Sequence, residues 1–550
     1  VAKEPPKPSE KESSQASIFS AVQKQPSAKT KIQKDAMFLA GSVNGIPETE
    51  LASPKLKVGF DLKALLKGLW EKKSDLAPPY FDLGVAFWLL DPDFKKYDPQ
   101  SSFKKFLGRE WTGGAEDAES AFAFAEAKLK EHKLEEVFHE IEMPALGILA
   151  GMEREGIFLE PARLKELETK IEARLADLTR EIYREAGREF NVNSPKQLGE
   201  VLFKKLSHRN GEKVGKTPGG QPSTSAENLE ALQEKIPLAK LALEYREAFK
   251  IQSTYVKPFQ ELVSPDGRIH TEFIQTGTAT GRLSSQNPNL QNVPRESVWA
   301  DEFRSAFVAP DGFSFVAFDY SQIELRILAA LSEDPNMIAA FKRGLDIHQA
   351  TAARIFDVPL ENVRPEMRRL AKTLNFGLIY GMGVSAFAKT SGVGREQALK
   401  FVNAYFEEFS KIKLWQEKVR RDARTLGYVQ TPTGRRRYLL GIASGVPRVV
   451  AEAERAAMNQ PIQGLAADII KLAMIETESA LEAKHWRGKE VKMILSIHDE
   501  LLFEVRDSMI KEAIPVIREA MERVYELAVP LKTEVSVGKD WGRLAKFNNG

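Results

Sequence analysis

Phe318-Asp319-Tyr320-Ser321-Gln322-Ile323-Glu324 decides how the rest of the chain is read. The run before it, residues 313–318, spells F-S-F-V-A-F and has the composition of a buried strand. Asp319 follows at once, and helical spacing then runs over residues 323–331. A carboxylate at the end of a buried strand has its position fixed by its neighbours, as metal-dependent catalysis requires. The ordinary use of such an Asp is to cap the following helix. The whole string is too specific for capping alone.

A second carboxylate of this kind stands in His498-Asp499-Glu500, at the tip of a hairpin predicted from residues 493–497 and 501–505. Between the two, Arg368, Lys372, Phe376 and Tyr380 recur every four residues and form one drifting stripe on a predicted helix. At 1.5 Å per residue the stripe spans about 18 Å, the reach from a triphosphate tail to a base pair. Its early cations suit phosphates, Phe376 suits a sugar and base, and Tyr380 suits stacking on a template base. Gly377 and Gly381 weaken a helix and so mark a close partner or a bend.

Two carboxylates for divalent metal and a cationic helix for a triphosphate are the parts of phosphoryl transfer. Two Mg²⁺ about 3.5–4 Å apart would activate a 3′-hydroxyl and stabilise leaving pyrophosphate, with Mn²⁺ able to substitute. Mg²⁺ takes one or two carboxylates plus phosphates and water, which matches so short a ligand set. Lys372 is placed to offset charge on the α-phosphate and to give a proton to pyrophosphate.

The 550 residues exceed what one core serves, so three or four domains are expected. Hydrophobic residues make up 43%, and no run is long and apolar enough to span a membrane. The chain opens on Val1 without a signal-peptide pattern. It reads as a cytosolic-type protein, cytoplasmic or nucleoid-associated, or as an expressed fragment, with viral or organellar origin open. Cysteine is absent, which excludes disulfides and thiolate metal sites. That absence fits a heat-adapted source and equally drift in a reducing compartment. Net charge is only +2, from 79 basic and 77 acidic residues, so placement of charge matters more than its sum. Positive charge gathers at Arg364, Arg368, Arg369 and Lys372, at Arg420 and Arg421, and at Arg435 to Arg437.

Residues 1–30 are rich in Lys, Pro, Ser, Gln and Glu and read as a disordered tail. Residues 35–140 alternate short apolar runs (57–60, 84–90) with helical periodicity over 116–138, a modest α/β unit. Residues 161–190 predict a charged helix opened by Pro161. Residues 207–225 form a polar loop with Ser225 capping the next helix. Within that loop Gly211 to Thr217 resembles a P-loop but is one residue short and follows a helical pattern, so an ATPase is rejected. Residues 336–430 are almost wholly helical, and residues 531–537 are the last strand candidate. A polar loop carrying Arg282, Asn289 and Asn292 suits minor-groove acceptors that all base pairs share. Asn459 with Gln463 is a second polar pair, read as lying near a helix start.

D-Y-S-Q-I-E-L-R, R-R-x-x-K-T-x-N-F-G-x-x-Y-G-M and H-D-E match the three polymerase motifs of the family-A DNA polymerases, the bacterial DNA polymerase I type. The resemblance extends from about residue 140 to Lys539-Asp540-Trp541. It implies an α/β and α+β multidomain chain, a right hand of palm, fingers and thumb behind an N-terminal exonuclease-like α/β domain. The implied division is 31–140 for that domain, 141–160 leading into the palm, 161–265 thumb, 266–335 palm, 336–455 fingers and 456–550 palm. By the same resemblance Asp319 and Asp499 bind both metals with help from the Tyr320 carbonyl, and Glu500 is an auxiliary carboxylate. Arg368, Lys372 and His348 hold the triphosphate, with Tyr320 and Gln322 also at the nucleotide. Glu324 crowds the sugar 2′ position, Phe376 packs on the deoxyribose, and Tyr380 holds the template position. Arg282, Asn289, Asn292, Arg455, Asn459, Gln463 and His498 line the primer–template minor groove.

The N-terminal region departs from the family pattern. Residues 57–69 resemble the second motif of a 3′–5′ exonuclease, with Asp61 in place of Asn and Leu65 in place of a metal-binding Asp. Glu116-Asp117 resembles the third motif, but Gly113 stands where its Tyr belongs, and no first motif precedes residue 57. Proofreading is therefore expected to be absent. The expected activity is template-directed addition of dNTPs to a primer 3′-OH on primer–template DNA, by a monomer with no membrane partner. The alternatives are a same-fold polymerase acting mainly on RNA templates, a non-catalytic primer–template binder and a 3′–5′ exonuclease. Leu65 and Gly113 disfavour the last.

Overall fold

A computed structural model describes residues 36–39, 46–207, 223–294 and 297–547. The expected tail at 1–30 and the P-loop-like stretch Gly211 to Thr217 lie outside the described residues. Among the described residues no helix is long and apolar enough to cross a membrane.

The N-terminal unit is built on three short parallel strands, β1 (Met37–Leu39), β2 (Lys57–Gly59) and β3 (Tyr80–Asp82), in the order β1-β2-β3. Helix α1 (Leu62–Glu71) follows β2 and helix α2 (Leu83–Leu90) follows β3. All eight residues of α2 are buried, so the apolar run at 84–90 is a central helix rather than a strand. A separate core collects Phe81, Phe87, Phe103, Phe122 and Phe138 around it and reaches Ala150 in helix α3 (Met143–Glu155). Buried Asp82 joins the two helices by accepting the N–H groups of Leu62 at 2.7 Å and Val85 at 3.0 Å. Burial pushes its pKa up to about 6 against the pull of those amides.

Helix α4 (Pro161–Ala186) starts at Pro161 as its sequence predicts and buries a stripe of Leu164, Leu167, Ile171, Leu178 and Ile182. Ser225 caps the helix beginning at Ala226, accepting the Asn228 N–H at 3.4 Å.

The central sheet comprises β4 (Phe313–Tyr320), β5 (Val491–Ile497), β6 (Glu500–Arg506), β7 (Thr533–Gly538) and β8 (Ala545–Lys546). Its order is β5-β6-β4-β7-β8, with every pair antiparallel. Residues 314 to 318 of β4 are all buried, as a central strand covered on both faces should be. β4 continues through Asp319 to Tyr320, so Asp319 sits inside the ladder rather than beyond its end. β5 and β6 form the expected hairpin with Asp499 in its turn. Helix α5 (Ile323–Ser332) leaves β4, and helices α6 (Ile347–Ile355) and α7 (Pro365–Ile379) pack on each other in the helical region beyond it. Helix α8 (Pro447–Ala483) and helix α9 (Ile510–Arg523) also pack together, and α9 touches β6 and β7.

Two expectations are corrected. Asn459 and Gln463 lie well inside the 37-residue α8, because Pro461 is accommodated within that helix instead of opening one. The basic run at Arg435 to Arg437 is not a cationic surface. Arg435 is buried against Asp468 and Glu142, Arg436 lies over the Tyr428 ring at 4.5 Å, and Arg437 pairs with Asp93 at 3.0 Å. A guanidinium can be buried when carboxylates neutralise it, so sequence crowding of cations did not report exposure.

Candidate active site

The ladder between β4 and β6 brings the two distant acids together. Asp319 stands opposite Glu500, and the Tyr320 N–H donates to the Asp499 carbonyl at 3.1 Å. In a strand a residue's C=O leaves on the same side as its N–H, so the Tyr320 carbonyl also faces Asp499. Asp319 is not used as a helix cap; the N-cap of α5 is Gln322, in a left-handed conformation, without a side-chain cap bond. On the other side of β4, Glu534 stands opposite Asp319. A polar cleft of about 470 Å³ here is lined by Asp319, Ser321, Gln322, Glu500 and Glu534 with Arg304. Asp319, Asp499 and the Tyr320 carbonyl are hard oxygen donors and fit Mg²⁺, which needs few protein ligands when phosphates and water complete its shell. Among the described residues no set of three or more His, Asp or Glu is arranged around a metal position.

Gln322 and its neighbour Ser321 are fixed by a residue that sequence reading missed. Arg326, buried on α5, donates to the Ser321 carbonyl and the Pro530 carbonyl, each at 2.8 Å, with its guanidinium 4.6 Å from the Phe341 ring centroid. It clamps the turn directly after β4. Its only signal was its place in the motif.

Helix α7 presents the predicted stripe. Lys372, Phe376 and Tyr380 line a second cleft of about 600 Å³ with Arg369, Thr373, Gly377, Gly381, Met382 and Arg455. Tyr380 is the C-cap rather than a helical residue, because Gly381 turns the chain at φ 75°. A Cβ on Gly381 would collide with the Met458 methyl, and one on Gly377 would meet Met382 Sδ at 2.7 Å. Both glycines therefore serve the bend and close packing their sequence suggested.

Arg368 lies outside that cleft and pairs with Asp346 at 2.7 Å. Asp346 in turn caps α6, accepting the N–H groups of His348 at 2.9 Å and Gln349 at 3.1 Å. His348 is buried beside Phe376, ring centroids 5.6 Å apart, and its Nδ1 accepts the Asn375 amide N–H at 2.9 Å. That bond leaves the proton on Nε2. Burial, opposed by Asp346 and aided by Arg368 and Lys372, lowers the imidazole pKa to about 4. His348 is thus a neutral donor.

Glu324, in the first turn of α5, ties the loop of Arg282 to Tyr380. Its carboxylate accepts from the Tyr380 hydroxyl and pairs with Arg282. Burial and that carboxylate push the Tyr380 phenol well above its ordinary range.

These features coincide with a known family. Residues 161–543 match DNA polymerase family A. The chain belongs to that family. It is 42% identical over 508 residues to the thermostable DNA polymerase I of Thermus aquaticus, covering 91% of this chain and 60% of that protein. It is 39% identical over 531 residues to DNA polymerase I of Deinococcus radiodurans, covering 94% of this chain and 54% of that protein. The chain thus spans little more than half the length of these relatives. A solved structure, the polymerase domain of Pol1 from M. smegmatis in complex with DNA primer–template and dNTP, aligns with a TM-score of 0.85. That alignment has 35% identity and covers 90% of this chain and 88% of the other. The right-hand fold of the family is therefore the fold of this chain.

Within that family frame the remaining predicted groove residues divide. Asn289 turns inward on its own loop, its side-chain oxygen accepting from the Ser285 hydroxyl and the Asn292 N–H, each at 3.1 Å. Asn292, Arg455 and His498 are exposed, and His498 holds a left-handed φ of 57° in the β5–β6 turn. Asn459 and Gln463 are half-buried on α8. In the N-terminal unit Asp61 caps α1, accepting the Ala64 N–H at 3.2 Å. Asp117 is tied to the Thr112 N–H at 2.6 Å and to Arg109 at 2.7 Å.

Proposed function

We propose that the chain is a DNA-directed DNA polymerase that adds dNTPs to a primer 3′-OH and lacks proofreading. The observation that carries this is the Tyr320–Asp499 backbone bond, which brings the backbones of two motif carboxylates together at one end of the sheet, with Glu324 just beyond bonded to Tyr380 at the end of α7. Asp319, Asp499 and the Tyr320 carbonyl would hold Mg²⁺, which when bound supplies charge neutralisation at the phosphates and a lowered pKa at the attacking hydroxyl.

The protein's own groups do the rest. Lys372 and Arg368 hold the triphosphate, and Lys372 donates a proton toward the leaving pyrophosphate. His348 gives the phosphates a neutral N–H, its tautomer set by Asn375. Phe376 packs on the sugar, and Glu324 occupies the space a 2′-hydroxyl would need. Tyr380 lies where the template base enters. Arg282, Asn289, Asn292, Arg455, Asn459, Gln463 and His498 follow the minor groove. Asp61 and Asp117, committed to a helix cap and a loop tie, support a nuclease-like unit that serves as a buttress.

Extension of a primed DNA template by one matched dNTP tests the proposal. Asp319→Asn should reduce the rate by about 10³-fold or more while DNA affinity stays within a few-fold. A matched RNA template in parallel reports reverse transcription. No extension on either template by the unaltered chain would defeat the reading.

A further inference from the structure

The loop carrying Arg282 is held from below by the N-terminal unit. Trp88, fully buried in α2, donates its indole N–H to the Thr278 carbonyl at 3.1 Å, across 190 residues of sequence. Thr278 closes the loop on itself, its hydroxyl donating to the Arg282 carbonyl at 2.8 Å. The faces of the same indole meet two buried cations, the Arg435 guanidinium at 5.1 Å and the Lys471 ammonium at 5.4 Å from the ring centroid.

Those cations belong to a buried network. Arg435 donates to Asp468 at 2.6 Å and to Glu142, and Lys471 donates to Glu142 at 2.6 Å. All four side chains are at most 2% exposed, and their charges cancel. Such a network is costly to break at any one member, because a buried charge is left alone. The loop rests directly upon it: Gly281 has φ +92°, and a Cβ there would lie 2.7 Å from Arg435 Nε. The next residue, Arg282, pairs with Glu324, which also receives the Tyr380 hydroxyl.

We infer that Trp88 is a positioning residue for sugar discrimination. The nuclease-like unit fixes the loop 278–282, the loop fixes Arg282, and Arg282 holds the Glu324 carboxylate against the sugar position. This rests on the proposed role of Glu324 and adds the element that keeps it in place. Without the indole N–H, the Thr278 carbonyl loses a buried partner, the loop lifts from Arg435, and Glu324 gains room to yield to a 2′-hydroxyl.

The test compares kcat/KM for a dNTP and the matching rNTP in the full chain. Trp88→Phe keeps an aromatic face for the cations but removes the N–H. The dNTP-to-rNTP preference should fall about 2- to 13-fold, the range of one hydrogen bond, chiefly through better rNTP use. Gly281→Ala, which forces the loop off Arg435 from the other side, should shift the ratio the same way. In a Glu324→Ala background Trp88→Phe should add nothing, since coupled residues are not additive. If Glu324→Ala leaves the preference unchanged, the sugar-excluding role of Glu324 fails and the inference falls with it. If Glu324→Ala lowers the preference while Trp88→Phe and Gly281→Ala depress dNTP and rNTP use equally, the inference alone is overturned. Thermal unfolding of each variant confirms that a folded protein was assayed.

Discussion

Asp346 both caps the helix that carries His348 and holds Arg368 in an ion pair at 2.7 Å. Burial works against its ionisation, but Arg368 and the amides of Gln349 and His348 outweigh that and hold its pKa below the usual range. If Arg368 holds a triphosphate as proposed, Asp346 competes with the phosphates for it. Asp346→Asn keeps the cap and removes the competing charge. An exposed pair of this kind is worth about 0.2–1 kcal/mol, so nucleotide KM should fall about 1.4- to 5-fold at low salt. Steady-state kinetics would decide it: a raised KM would mean that Asp346 aims Arg368 rather than competing for it.

His348 gives the chain a pH signature. Its folded pKa of about 4 lies below the ordinary 6.5, mainly through burial. Between those values the unfolded chain binds the extra proton, so stability rises with pH across this window and is lost as pH falls from 6.5 to 4. The full window corresponds to roughly 3 kcal/mol. His348→Gln should flatten that part of the curve in denaturant titrations at stepped pH. Identical slopes for the two proteins would show that His348 titrates normally.

Phe376 lines the cleft on α7, where the proposed nucleotide sugar would sit, with an apolar ring. Nothing in that side chain can stand in for the polar group of a missing 3′-hydroxyl. Phe376→Tyr adds a hydroxyl at the same position. A hydrogen bond to a charged group is worth about 1.5–3 kcal/mol, so dideoxynucleotide use relative to dNTP should rise about 10- to 150-fold. Competitive incorporation at one template position measures the ratio, and no change would move Phe376 away from the sugar.

Much of this site was legible because its signals are local. A buried run ending in Asp319, a four-residue stripe and a hairpin tip each follow from backbone periodicity. What escaped depends on contacts between distant segments. Arg435 reads only as one of three adjacent cations, yet it is buried against Glu142 and Asp468, 293 and 33 residues away. Asn459 and Gln463 read as lying near a helix start, yet α8 has already run from Pro447 and takes Pro461 within it. Asn375 is a fixed letter of the R-R-x-x-K-T-x-N-F-G string that carried no role, and only the packing of α6 on α7 shows it orienting His348. Arg326 clamps two carbonyls that sequence separates by about two hundred residues.

The N-terminal unit carries the last prediction. A two-metal nuclease needs several carboxylates converging on one spot. Here Leu65 offers none, Asp61 is spent on the start of α1, and Asp117 is held by Thr112 and Arg109. Lys63 and Lys67, on the same helix, instead reach across to Glu153 on α3, and Lys63 also donates to the Phe273 carbonyl. The helix that would carry a nuclease motif is thus a docking surface for the polymerase body. A primer with a mismatched 3′ end should therefore stay at full length during long incubation with Mg²⁺ or Mn²⁺ and no dNTP. Restoring one acid should not change this, because Leu65→Asp supplies a single carboxylate without partners from a first motif. Shortened primer from the purified chain would show that metal is held by residues other than these. Shortening only in Leu65→Asp would show that the remaining ligands were in place all along.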